Sequence, residues 1–161
     1  MPTIVWWFSL SDEKNKEIFL TFILDKAFRK EDYSEIGRLQ IIKICFLIDK
    51  LFSEHKLSTS GYEYILERLG PYSDEIIKQL DKMVYDGKIQ NGSQYYNYLI
   101  LNLPEKIKEV EKLKETIVKE KLEKEIDQIF ELAKDVGLLL DYVHGLPEVK
   151  SIEMGKKIYL Y

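Results

Sequence analysis

The chain has little of what most chemistry-bearing proteins need. Among 161 residues there is one cysteine, Cys45, and there are two histidines, His55 and His144. A lone cysteine cannot build a disulfide framework or a multi-cysteine zinc site. Set inside a dense apolar segment, Cys45 reads as a buried, inert thiol. Neither histidine has a partner at metal-ligand spacing, so no metal and no cofactor are expected. A P-loop, a GxGxxG, a nucleophile elbow and a CxxC are all missing. Paired acids occur at Asp74 and Glu75, at Glu123 and Glu125, and at Asp135 and Asp141, but nothing singles out one pair, and solvated helix faces look the same. No catalytic residue is nominated, and the chain reads as non-enzymatic.

Long apolar runs are missing too. None reaches the roughly 18 to 20 residues of a membrane span, and the apolar opening Thr3 to Leu10 has no basic leader before it, so a cytoplasmic protein without membrane contact is expected. Positive charge is not in excess. With 24 Lys and Arg against 28 Asp and Glu, the net charge is −4, whereas non-specific nucleic-acid affinity comes from basic side chains neutralising phosphates.

What is present is apolar patterning, at 45% hydrophobic content, enough to bury a sizeable core. The best punctuated stretch is Tyr62 to Val84. Gly70-Pro71 interrupts it, since glycine accepts a positive φ and proline fixes its own. Ser73 is placed to cap a new helix, with Asp74 and Glu75 at the positive end of its dipole. Ile76, Ile77, Leu80, Met83 and Val84 lay one stripe along that helix, and Gly87 ends it. Lys88 to Gln90 then leads through the turn pair Asn91-Gly92 into Tyr95 to Leu101, rich in strand-favouring types. Helix, turn and hairpin in this order predict a winged helix.

Upstream, Thr3 to Leu10 reads as a strand or core plug, and Ser11 as the cap of a helix whose face Ile18, Phe19, Phe22, Ile23 and Phe28 keeps apolar to about Arg29. A second helix, from Ile36 to about Glu54, is apolar all round, which suits a central helix wrapped by neighbours. Arg38, Gln40 and Lys43 are read as its solvated edge.

Downstream, Ile107, Val110, Leu113, Ile117, Val118, Leu122, Ile126, Ile129, Phe130, Ala133 and Val136 recur at threes and fours. One long helix from Pro104 to Val136 is predicted, with more apolar length than a small domain covers, so it is expected to pack on a second helix of the domain or on a second subunit. Eight lysines against ten acids between residues 104 and 136 solvate its outer face. Leu138 to Val143 reads as a short helix. The tail Lys157 to Tyr161 alternates like a strand, to pair with Thr3 to Phe8, with the wing or across a dimer. The fold class expected is mainly α: a winged-helix-like domain with a small β wing over residues 1–103, then a long helix and a short C-terminal helix and tail over 104–161.

The run Gly37-Arg38-Leu39-Gln40-Ile41-Ile42-Lys43-Ile44, then Tyr64 to Leu69 with Gly70-Pro71-Tyr72-Ser73, then Leu80 and Gly87-Lys88-Ile89, resembles the YwgA-like proteins of bacteria and archaea. More distantly it is similar to the Panacea domain of SocA-like antitoxins and phage-associated proteins. The resemblance covers about residues 11–101. It implies a non-enzymatic winged helix that binds DNA, a toxin or another protein.

Two functions follow as expectations. The first is a protein-interaction module, antitoxin-like or associated with a phage or mobile element, whose partner is another protein or a second copy. The second is a DNA-binding transcriptional regulator using helix 73–86 and wing 88–101. Lys78, Gln79, Lys82, Lys88, Gln90, Tyr95 and Tyr96 are the candidate contacts in either case, with Gly70, Pro71, Tyr72 and Ser73 as the structural motif before them. A basic outer face on helix 73–86 favours DNA; a neutral or tyrosine-lined one favours protein.

Overall fold

A computed structural model describes residues 12–94, 96–100, 102–104 and 107–160. The expected strand over Thr3 to Leu10, the cap Ser11, Tyr95 and Tyr161 lie outside the described residues. Helix α1 runs Asp12–Arg29 and helix α2 runs Arg38–Glu54, with a two-residue strand β1, Ile36–Gly37, just before α2. A hairpin of β2 (Tyr64–Glu67) and β3 (Gly70–Tyr72) precedes helix α3 (Asp74–Tyr85), which is followed by β4 (Ile89–Asn91) and β5 (Asn97–Ile100). Helices α4 (Lys108–Lys119), α5 (Glu123–Ala133), α6 (Val136–His144) and α7 (Pro147–Lys150) and a last strand β6 (Lys157–Ile158) complete the chain. The protein is mainly helical with small antiparallel sheets.

Helix α2 is the axis of the core because its sequence leaves it no polar side. Every residue from Ile41 to Asp49 is buried. It packs against α1, α5, α6 and β3. Phe46 meets Tyr64 edge to face at 5.1 Å, and Phe52 meets Phe19 at 5.5 Å. Burial of each such ring contributes about 2 kcal/mol or more.

The strands form two sheets. In one, the order is β1-β5-β4, with Ile36 opposite Tyr98 and Ile89 opposite Ile100. In the other, the order is β3-β2-β6, with Ile65 opposite Tyr72 and Tyr64 opposite Ile158. The tail thus pairs with β2, not with the wing, because the β2 edge opposite β3 is open to it. Gly70-Pro71 is not the turn itself: it lies in β3, and the reversal falls at Arg68 and Leu69.

The single helix expected from Pro104 to Val136 is two helices that start later. Lys121 adopts φ 61°, and the bonds from Lys121 N to Val118 O and from Leu122 N to Ile117 O close α4 in a Schellman motif. The break turns α5 back onto α2, and α4 lies on α1. Most of the apolar stripe is covered within the chain: Val110, Leu113, Ile117, Leu122, Ile126, Phe130 and Ala133 are buried, Ile107 and Ile129 are half-buried, and Val118 and Val136 are exposed. Polar pins hold this packing. Asp25 pairs with Lys114 at 2.9 Å and with Arg29, which donates to the Leu103 and Pro104 carbonyls. Tyr33 donates to Phe130 O at 2.7 Å, and Gln40 donates to Ala133 O at 2.8 Å.

Candidate interaction surface

The surface is built on α3. Ile76, Leu80 and Met83 face inward, so Asp74, Lys78, Asp81 and Tyr85, at i, i+4, i+7 and i+11, form one outward line. Tyr85 is 91% exposed. Asp86 and the positive-φ Gly87 end the helix with bonds from Gly87 N to Val84 O and Lys88 N to Met83 O. Ser73 starts the helix but does not cap it through its side chain. Its hydroxyl is buried and has no hydrogen-bond partner among the described residues, because the residue is packed into the interior at 1% exposure.

On one flank of α3 stands Arg38. Read from sequence as a solvated edge, it is instead the hub of the β4–β5 hairpin. Its guanidinium carbon lies 4.3 Å from the Tyr96 ring centroid and 5.8 Å from that of Tyr98. Its Nε donates to the Tyr98 hydroxyl, and its Nη2 reaches Asp81 Oδ1 at 2.9 Å. Arg38 N also donates to Tyr96 O. Tyr98 is buried while Tyr96, at φ 65°, is 49% exposed. Next to this cluster, burial and a hydrogen bond to Asp74 push the Tyr72 phenol up.

The wing loop is held from below by Glu35, whose carboxylate accepts from Ser93 N and, at 3.0 Å, from Ser93 Oγ. The Ser93 backbone bond holds the Glu35 carboxyl below its usual range. A Cβ on Gly92 would run into that carboxylate, so Gly92 serves close approach here; the positive φ of the turn falls at Tyr96.

On the other flank, Lys78, Gln79 and Lys82 line a cavity of about 320 Å³ with Glu13, Lys16, Tyr62 and Glu75. Lys16 is bonded to Glu75 and lies 3.4 Å from Glu13. Burial works against its ammonium, but the Glu75 hydrogen bond and the two acids outweigh it and hold its pKa up. Lys88 turns back to Glu17 at 2.7 Å, and Gln90 is exposed on β4. The structure therefore separates the expected contacts: Lys78 and Lys82 face one side, Tyr96 the other, and Lys88 is engaged by α1. Exposed on α3 and its end are three acids, Asp74, Asp81 and Asp86, against two lysines.

Two buried ionisable groups on α2 fix the chain that leads into this surface. Lys43, 1% exposed, donates to Pro71 O at 2.6 Å, and burial lowers its pKa to about 8. Asp49, equally buried, accepts from Ser60 N at 2.7 Å, Ser60 Oγ at 2.6 Å and Tyr64 OH at 2.7 Å. Burial pushes Asp49 up to about 6 against those three bonds, and burial with the Asp49 charge pushes the Cys45 thiol well up. Neither Lys43 nor Gln40 is a solvated edge. Lys43 reaches across to β3 beside Gly70, whose φ of 98° is one that glycine adopts without strain.

Comparison with protein-family models, with curated proteins and with solved structures finds no match. The resemblance carried by Gly37 to Ile44 and Tyr64 to Ser73 rests on those residues. Sequence reasoning missed Arg38, Asp81 and Tyr98 as one cluster, since 60 positions separate Arg38 from Tyr98 and no local signal joins them. Among the described residues, no three His, Cys, Asp or Glu side chains come together in a metal-holding group, and no helix is long and apolar enough to cross a membrane.

Proposed function

We propose that the chain is a non-enzymatic protein-interaction module of winged-helix type, working in the cytoplasm, and that α3 with its wing is the contact surface. The order α1, β1, α2, α3, β4, β5, with β1 beside β5 in one sheet, is the order a winged helix requires. The hairpin β2–β3 is then an insertion between α2 and α3. The resemblance to YwgA-like and Panacea proteins adds an antitoxin-like role, with a toxin as partner.

One observation carries the reading: an arginine held over Tyr96 and tied to Asp81, beside a tyrosine that is 91% exposed. Arginine and tyrosine are the residues over-represented where a few side chains dominate a protein interface, and a pre-ordered side chain loses little entropy on binding. The alternative, a transcriptional regulator, meets two exposed acids on the helix that would enter the groove, Asp74 and Asp81, and a third, Asp86, at its end, and these repel phosphates.

The test places a photo-crosslinking residue at Tyr85 in the native host and identifies what it captures. A discrete protein adduct that disappears with Arg38→Ala supports the module. Fluorescence anisotropy with duplex DNA from upstream of the coding sequence supplies the opposing arm. Binding that weakens linearly in log salt, with no protein adduct, would overturn it.

A further inference from the structure

We infer that a second face, the groove between α2 and α5, takes a basic amphipathic helix from another protein. The inference rests on the interaction-module reading but uses residues outside the α3 surface. The groove has a volume of about 440 Å³ and is closed at one side by Tyr142 of α6. One wall is Leu47, Lys50, Leu51 and Glu54; the other is Glu125, Gln128, Ile129 and Leu132. Both sets fall at i, i+3, i+4 and i+7, so each helix presents two turns of one face. Two helices side by side with such faces form the seat of a third helix, whose own apolar residues at the same spacing drop between them. A strand or loop would leave its backbone polar groups unpaired against Leu51, Ile129 and Leu132.

The apolar floor extends outward over Tyr142, 52% exposed, and Leu138, 57% exposed, one turn earlier on α6. A side-by-side pair of large exposed apolar residues continuous with a groove marks a contact site rather than scattered surface.

The charge of the rim sets the chemistry of the partner. Lys50 is the one base in the lining, and Glu54 and Glu148 (at 3.3 Å) already engage it. Glu125 has no ion pair among the described residues. The groove and its edge carry Glu54, Glu125 and Glu148 against Lys50, which leaves the rim acidic. A helix with lysine or arginine flanking its apolar stripe matches this rim, with electrostatic attraction also raising the association rate. A second copy of this chain docking face to face would bring a second acidic rim to the groove instead of the basic flanks that match it.

The experiment titrates the full chain, labelled for methyl NMR, with three designed peptides of about 18 residues, long enough for helix formation on the groove. The first has leucines at i, i+3, i+4 and i+7 with lysine and arginine elsewhere; the second keeps the leucines and carries glutamates; the third scrambles the first. The expected result is shifts at Leu47, Leu51, Ile129 and Leu132 with the first peptide, and binding weaker by on the order of tenfold with the other two. Glu125→Lys and Tyr142→Ala, both exposed changes that leave the fold intact, should each weaken the first peptide several-fold. Equal binding of the scrambled peptide, or no shift at those methyls, overturns the proposal. So do contacts from the groove methyls to the indoles of Trp6 or Trp7, or a dimer abolished by Glu125→Lys, which would give the groove to the chain itself. A Tyr85 crosslink that persists alongside peptide failure leaves the α3 surface standing, which separates the two readings.

Discussion

Arg38 and Tyr96 meet across the junction of the central helix and the β4–β5 hairpin, guanidinium carbon to ring centroid at 4.3 Å, while the same arginine holds the buried Tyr98 hydroxyl. The pair couples the first turn of α2 to a loop nearly 60 residues later. One side chain thus ties the β4–β5 hairpin to α3 through Asp81.

Arg38→Ala should destabilise the protein by about 1–3 kcal/mol, because it leaves the Tyr98 hydroxyl buried without its partner and removes the contact with Tyr96. Arg38→Ala with Tyr98→Phe should be less destabilising than the sum of the two single changes, since the phenylalanine no longer leaves an unpaired hydroxyl. Urea unfolding of the four proteins measures this, and strict additivity would show that the two residues do not act as a unit.

Lys43 gives stability a rise in alkali. Burial lowers its pKa to about 8, so between about 8 and about 10.5 the folded protein has released a proton that the unfolded chain still holds. The unfolded state then binds more protons, and stability climbs with pH across that window. Relative to Lys43→Met, wild type should gain on the order of 3 kcal/mol between the two limits. A pH-independent difference between the two proteins would refute the assignment.

Asp49 works in the opposite direction. With its pKa pushed up to about 6, the folded protein keeps a proton that the unfolded chain has lost between about 4 and about 6, so stability falls as pH rises through that range. Carboxylates such as Glu17, which burial raises but Lys88 lowers further, pull the other way, so the comparison is wild type against Asp49→Asn. The asparagine variant should gain on wild type by up to about 3 kcal/mol from about pH 4 to about pH 7. Chemical unfolding at the two pH values gives the answer.

Lys121 stands where helix ends usually place glycine. Because a left-handed residue other than glycine costs about 1 kcal/mol, Lys121→Gly should stabilise the protein by roughly that amount. Its melting temperature should rise by a few degrees. A loss of stability would mean that the Lys121 side chain makes a compensating contact.

The same position explains what the sequence made legible. Gly87, at φ 77°, ends α3 with the bonds that Lys121 makes after α4, and only the glycine announces itself. Lys56, at φ 58°, ends α2 in the same disguise. The apolar period across residues 107–133 is readable, and all its members but the exposed Val118 are buried or half-buried, but the stop inside it is not. Helix α3, the density of α2 and the hairpin residues Ile89 and Tyr98 could be read because each is a local pattern. Lys43, Asp49 and Arg38 could not, since a buried charge is made tolerable by partners such as Pro71, Ser60 and Tyr98 that sequence distance hides. The candidate surface divided in the same way: Lys78, Gln79, Lys82 and Tyr96 are on it, whereas Lys88 is held by Glu17 and Arg38 had been set aside.

The pairing of β6 with β2 orders events in time. Lys157 reaches back 94 positions to Glu63, whereas the last residue of the β1-β5-β4 sheet is Ile100. Among the described strands, those of the β1-β5-β4 sheet are all made once residue 100 has been synthesised, while the β2 edge opposite β3 waits for residue 158. For that interval the nascent chain carries an unpaired strand beside the Gly70-Pro71 segment, the kind of edge that chaperones shield and that neighbouring chains capture.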